Sequence, residues 1–168
     1  MQCLSYTNNL CRSCALLDLT YADTLAQKEN VLRSLFTDAS LQPTVGLAHD
    51  ADESRSKAKL AVFKKDGEIR FGFFNSSAIP QSLEECPLHM NGINSLLVEI
   101  RALLKKHQVT IYDLTNRKGE LKYILLTKSD SHDEILVRFV LRSKDQLDAF
   151  RKITVELRAQ SASVKVVT

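Results

Sequence analysis

Apolar residues along this chain recur at two different periods, and the change of period divides it into elements. Over residues 20–36, Leu25, Val31, Leu32, Leu35 and Phe36 fall at helical intervals. Thr20 and Asp23 stand at capping-box spacing, with Asp in place of the usual Glu or Gln. Residues 59–63 and 69–74 are β-rich runs, and Asp66-Gly67 between them is a strong hairpin turn signal. Pro80, Cys86 and Pro87 make residues 75–88 an ordered loop. The helical period returns over 93–107, with Ile93, Leu96, Leu97, Ile100, Leu103 and Leu104 on one stripe. Residues 121–127 and 135–141 read as strands joined by a polar turn. Ser143 and Gln146 have capping-box spacing before a third helix, with Leu147, Phe150, Ile153, Val155 and Leu157 as its apolar positions. Residues 164–168 begin another strand, so 135–168 predicts a βαβ unit. A sheet strand running to the last residue suggests a piece of something longer.

The expected fold class is therefore α+β: a mixed, mainly antiparallel sheet with flanking helices and a cysteine-rich loop at the N-terminus. The division expected is 1–18 as a cluster-binding segment and 19–168 as one α+β domain, which fits a length of 168 residues. No apolar run reaches the ~20 residues a membrane helix needs. The start lacks the charged end and apolar stretch of an export leader, so the expected compartment is the cytoplasm.

The net charge of +3 says little, but its distribution says more. Arg55, Lys57, Lys59, Lys64 and Lys65 form one basic run, and Arg117, Lys118 and Lys122 another. Local basic stretches in a near-neutral chain suit a defined polyanion contact. Asp50, Asp52 and Glu53 lack the alternating ligands of a calcium loop and read as a solvated acidic turn. Phe71, Phe73 and Phe74 could stack on bases, but aromatic residues in strands more often serve the core.

The cysteines carry the sharpest chemistry. Cys3, Cys11 and Cys14 form C-x7-C-x2-C, and Cys86 stands alone before Pro87. Four soft thiolates suit zinc or an iron–sulfur cluster. Zinc ribbons use two C-x2-C pairs and this chain has one, which tilts the pattern toward a [4Fe–4S] cluster. Zinc and unrelated free thiols stay open on spacing alone, and His89 is a possible substitute ligand in a zinc site. No Ser/His/Asp set can be assembled, and no glycine-rich strand-to-helix turn is present to hold a nucleotide cofactor.

Five stretches together resemble a known family. MQC at the start with CRSC at Cys11–Cys14, RSKAKL at Arg55–Leu60, ECPL around Cys86, RKGELKYILLT at Arg117–Thr127 and RFVLRS at Arg138–Ser143 carry the resemblance. It is to the N-terminal part of bacterial 23S rRNA (uracil-5-)-methyltransferases of the RlmC (RumB) type. The resemblance implies a [4Fe–4S] cluster on Cys3, Cys11, Cys14 and Cys86. It implies phosphate contacts from Arg55, Lys57 and Lys59, and more weakly from Arg117, Lys118 and Lys122. The implied partner is 23S rRNA, with no membrane and no obligate protein partner. In the family, S-adenosylmethionine and the cysteine that attacks C6 of the uracil belong to a C-terminal Rossmann-like domain, which this chain lacks. No catalytic or S-adenosylmethionine-binding residue is therefore expected here, and the chain is expected to be inactive alone. The cluster is expected to be structural, with all four irons ligated. The rival reading is a stand-alone zinc-binding, RNA-binding module, and a third is a small electron-transfer protein.

Overall fold

The computed structural model describes residues 2–47 and 52–168. His49 and Asp50 lie outside the described residues. The elements run α1 (Leu4–Thr7), α2 (Tyr21–Leu35), β1 (Lys57–Lys65), β2 (Glu68–Phe74), β3 (Pro80–Ser82), α3 (Ile93–Lys106), β4 (Leu121–Lys128), β5 (Ile135–Leu141), α4 (Leu147–Gln160) and β6 (Val164–Val167).

Six strands form one sheet in the order β3-β2-β1-β4-β5-β6. Every pairing is antiparallel except β5 with β6. The β1–β2 hairpin closes as its turn signal predicts. Lys65 pairs with Glu68, and both Asp66 and Gly67 take positive φ, at 52° and 78°. The βαβ expectation also holds, because β5, α4 and β6 end in a parallel pair. The loop expected over 75–88 contains a short strand. β3 lies so close to β2 that a Cβ on Gly72 would sit 1.8 Å from the Gln81 carbonyl oxygen. Glycine at this position is what permits the edge strand to pair.

Alternation along β1 sends Ala58, Leu60 and Val62 to one face, opposite Leu126, Ile124 and Phe71 where they pair. That face joins all six apolar positions of α3 and the buried Phe150, Ile153 and Leu157 of α4 in a single core. Each fully buried Leu, Ile or Phe contributes roughly 1.5–3 kcal/mol, so these side chains hold the sheet and its two helices together.

Local pattern and tertiary structure part company in three places. Val155, one of the apolar positions of α4, is exposed, because the helix turns that position away from the sheet. Ser143 and Gln146 do not form a capping box, and no side chain caps α4. The Gln146 side chain instead accepts from the backbone N–H and hydroxyl of Thr110, at 2.9 and 2.8 Å. The Ser143 hydroxyl donates to Glu120 Oε1 at 2.9 Å, so tertiary partners outcompete the local cap. Finally, Thr20 does cap α2, accepting from the Asp23 N–H at 3.1 Å, but no residue of that helix is buried.

Candidate cysteine centre and basic sheet face

The first three cysteines sit on a loop folded back on itself. The Cys3 carbonyl accepts from the N–H groups of Tyr6 and Thr7, starting the single turn of α1. Asn9 then takes a positive φ of 56°, and the N–H groups of Leu10 and Cys11 return to the Ser5 carbonyl. The Arg12 guanidinium lies 4.3 Å from the Tyr6 ring centre and bonds the Asn9 side chain. Tyr6 donates to Asp18 at 2.5 Å. The cysteine spacing gave no sign of this turn of helix within 1–18.

Cys86 is held by a different device. The chain before β1 runs alongside the Cys86 loop, with Glu53 N–H donating to the Pro87 carbonyl and Arg55 N–H to that of Leu88. Met90 N–H donates back to the Arg55 carbonyl, and Arg55 pairs with His89 as a parallel bridge. From α3, Asn94 donates its amide to the Cys86 carbonyl at 3.1 Å. Its Oδ1 then faces His89 Nδ1 at 2.8 Å, which assigns the ring proton to Nδ1. His89 is 5% exposed, and burial pushes its pKa down, against the Asn94 bond that raises it. His89 thus braces the loop through Asn94.

The thiols influence one another's ionisation across the two segments. All four are free and half-buried. Burial raises the pKa of the Cys14 thiol; the Arg55 charge opposes this, and Cys86, Cys11 and Cys3 add to it. Burial likewise raises Cys86, with the Leu88 N–H and Arg55 opposing and Cys3 and Cys11 adding. Groups that shift each other's ionisation share one electrostatic environment. Among the described residues, no three His, Cys, Asp or Glu side chains stand close enough to hold one metal ion.

The six basic candidates separate. Lys57 and Lys59 are exposed on the sheet face opposite the core. Lys59 pairs across to Leu125, which pairs to Arg138, so Lys59 and Arg138 share one cross-strand row, about 10 Å apart at the backbone. The Lys59 ammonium lies 5.4 Å from the Tyr123 ring centre on the same face. Arg138 and Tyr123 were missed in the sequence, because strand register brings them to Lys59 and no local pattern marks it. Arg55 is tied to the Cys86 loop, and its charge reaches Cys14 and Cys86. Lys122 stands over the Tyr112 ring at 4.6 Å. Arg117, at a positive φ of 53°, and Lys118, bridged to Asp113, belong to the turn before β4. Phe71 is fully buried, and Phe74 packs on Phe63 with ring centres 5.7 Å apart, so these two aromatics serve packing.

No family model matches the chain. Over its whole length it is 31% identical to a 23S rRNA (uracil(747)-C(5))-methyltransferase RlmC of Yersinia enterocolitica and to the protein of the same name from Escherichia fergusonii. It spans 45% of each, so the chain is just under half the length of these curated homologues. Among solved structures, it is similar to the Pyrococcus abyssi tRNA (uracil-54, C5)-methyltransferase in complex with S-adenosyl-L-homocysteine. That likeness has a TM-score of 0.66 and 20% identity, and covers 84% of this chain and 34% of the other. At that identity it speaks for the fold.

Proposed function

We propose that this chain is the RNA-gripping and cluster-holding part of an S-adenosylmethionine-dependent 23S rRNA uracil-C5-methyltransferase, and that it does not transfer the methyl group by itself. The observation that carries the reading is the end-to-end match to enzymes of that name, each about twice as long. The remainder of the longer protein would bind S-adenosylmethionine and supply the nucleophile.

The thiols suit a [4Fe–4S] cluster by chemistry and by spacing. Four thiolates match the one-per-iron ligation of a cubane, and a single C-x2-C pair is one short of a zinc ribbon. Cys3, Cys11, Cys14 and Cys86 would hold it, and when bound it supplies a cross-link between the N-terminal segment and the sheet. Arg55 offsets part of the negative charge of gathered thiolates. Lys57 and Lys59, with Arg138 in the same sheet face, would position phosphates, and Tyr123 would offer a flat ring beside them. A uracil modified at C5 must leave its stack to reach a catalytic site, so a firm grip on the flanking backbone is the service this face can render. No helix among the described residues is long and apolar enough to cross a membrane.

The test uses the longer polypeptide read from the same frame, purified without oxygen. Roughly four irons per chain and transfer of labelled methyl from S-adenosylmethionine to a 23S rRNA fragment are expected. The 168-residue chain should bind that RNA and transfer nothing. One zinc, no iron and no methyl transfer would replace this reading with the zinc-binding RNA module.

A further inference from the structure

Helix α2 carries one apolar stripe, and only its first half is covered. Tyr21 and Leu25 lean on Gly46, where an added Cβ would come within 2.9 Å of Leu25 Cδ1. Glu29 accepts from the Thr44 N–H at 3.1 Å, and the Tyr21 hydroxyl accepts from the Leu47 N–H at 2.9 Å. That half is closed by the returning chain over 44–47. Along the second half, Val31, Leu32, Leu35 and Phe36 are 52%, 43%, 69% and 54% exposed. Val31 and Leu32, with Leu16 and the stems of Gln27 and Lys28, line an apolar groove of about 510 Å³. Single exposed apolar residues such as Val98 and Val155 need no explanation, but a contiguous strip of four does.

We propose that this strip is the seat of the remainder of the same polypeptide in the longer protein, which lays an aliphatic surface against α2. The inference rests on the methyltransferase reading above. Its first support is length: more than half of each matched homologue lies outside the stretch this chain covers. Its second is area. A helix of 15 residues is about 22 Å long, so one face offers a few hundred Å² at most. A stable dimer of separate copies wants about 800 Å² from each partner. A covalently continuous partner escapes most of the translational cost of association, so a small patch suffices. Its third is anchorage: α2 begins seven residues after Cys14, so a centre joining Cys14 to Cys86 would fix the helix while leaving the second half of its stripe free to receive a partner.

The experiment compares backbone hydrogen exchange over 21–35 in the 168-residue chain and in the longer polypeptide, with Leu32→Asp/Leu35→Asp as variant and Val155→Asp as control. Exchange across α2 is expected to slow at least tenfold in the longer protein. The double variant should restore fast exchange there and lower its melting temperature by several degrees, while leaving the 168-residue chain and the control unchanged. Equal exchange in both lengths, or a neutral double variant, overturns the proposal. So does protection that follows a concentration-dependent dimer, which would make a second copy the occupant. Methyl transfer is read on the same preparation. An active protein with an unprotected α2 sinks this inference alone, and an inactive one with a protected α2 sinks only the methyltransferase reading.

Discussion

Helices α2 and α3 are nearly equal in length, at 15 and 14 residues, and both carry a helical stripe of leucines. All six stripe positions of α3 are buried, and α2 buries none. The difference lies in the partner. Helix α3 lies on a sheet whose alternate side chains face it, while α2 has only a short return of chain and a cysteine loop beside it. Amphipathic pattern thus states that a face will be covered, and leaves open by what. The region over 57–167 holds itself by a core. The region before it is held by local ties, among them the Glu29 clasp and the backbone bonds of the cysteine loop, and leaves Val31 and Leu35 exposed.

Four measurements would break or sharpen that contrast. The largest effect belongs to the core: Leu97→Ala should cost about 2–5 kcal/mol in urea unfolding, because Leu97 is fully buried between α3 and the sheet. If Leu97→Ala proves nearly neutral, α3 is no better anchored than α2 and the distinction fails. Next comes Cys86→Ser, which should abolish iron retention and remove exchange protection over 3–17 while far-ultraviolet circular dichroism of the sheet persists. Sheet unfolding in that variant would mean the centre also stabilises the core. Third, Lys57→Glu with Lys59→Glu should weaken RNA binding at low salt by tenfold or more. The same pair should flatten the salt dependence by about 0.7 for each phosphate it no longer neutralises. Arg117→Glu with Lys118→Glu should do much less, and the reverse ranking would move the RNA surface to the turn before β4.

The smallest effect is titration of the α2 clasp. Arg33 and the Thr44 N–H hold the Glu29 carboxyl below its ordinary range. A depressed carboxylate contributes stability that is present above the unfolded value near 4.3 and is lost as pH falls through its folded value. The Thr44 amide should therefore lose protection in acid, below about pH 4, before the sheet amides do. A Thr44 amide that stays protected until the sheet melts would show that the clasp is not a separate unit.

Much of the fold was legible in advance because the signals were local. Asp66-Gly67 needs two positive φ angles and names its own turn. The α3 stripe and the β5-α4-β6 unit follow from period and order. Where a side chain had a stronger tertiary partner, local reading failed. Gln146 left its cap for Thr110, and Ser143 turned to the buried carboxylate of Glu120. The basic candidates show the same limit. Lys57 and Lys59 were separable from the core by alternation, but Arg138 and Tyr123 join them only through register.

The sequence by itself determined the longer elements, their periods and the hairpin turn, because each depends on residues near in the chain. Tertiary structure decided which of those elements found cover and which charges share a face. It also decided that the Arg55 segment runs beside the Cys86 loop, through backbone bonds from Glu53 and Arg55 to Pro87 and Leu88. Burial and convergence depend on what the rest of the chain places opposite a residue, and spacing along the chain carries no measure of that.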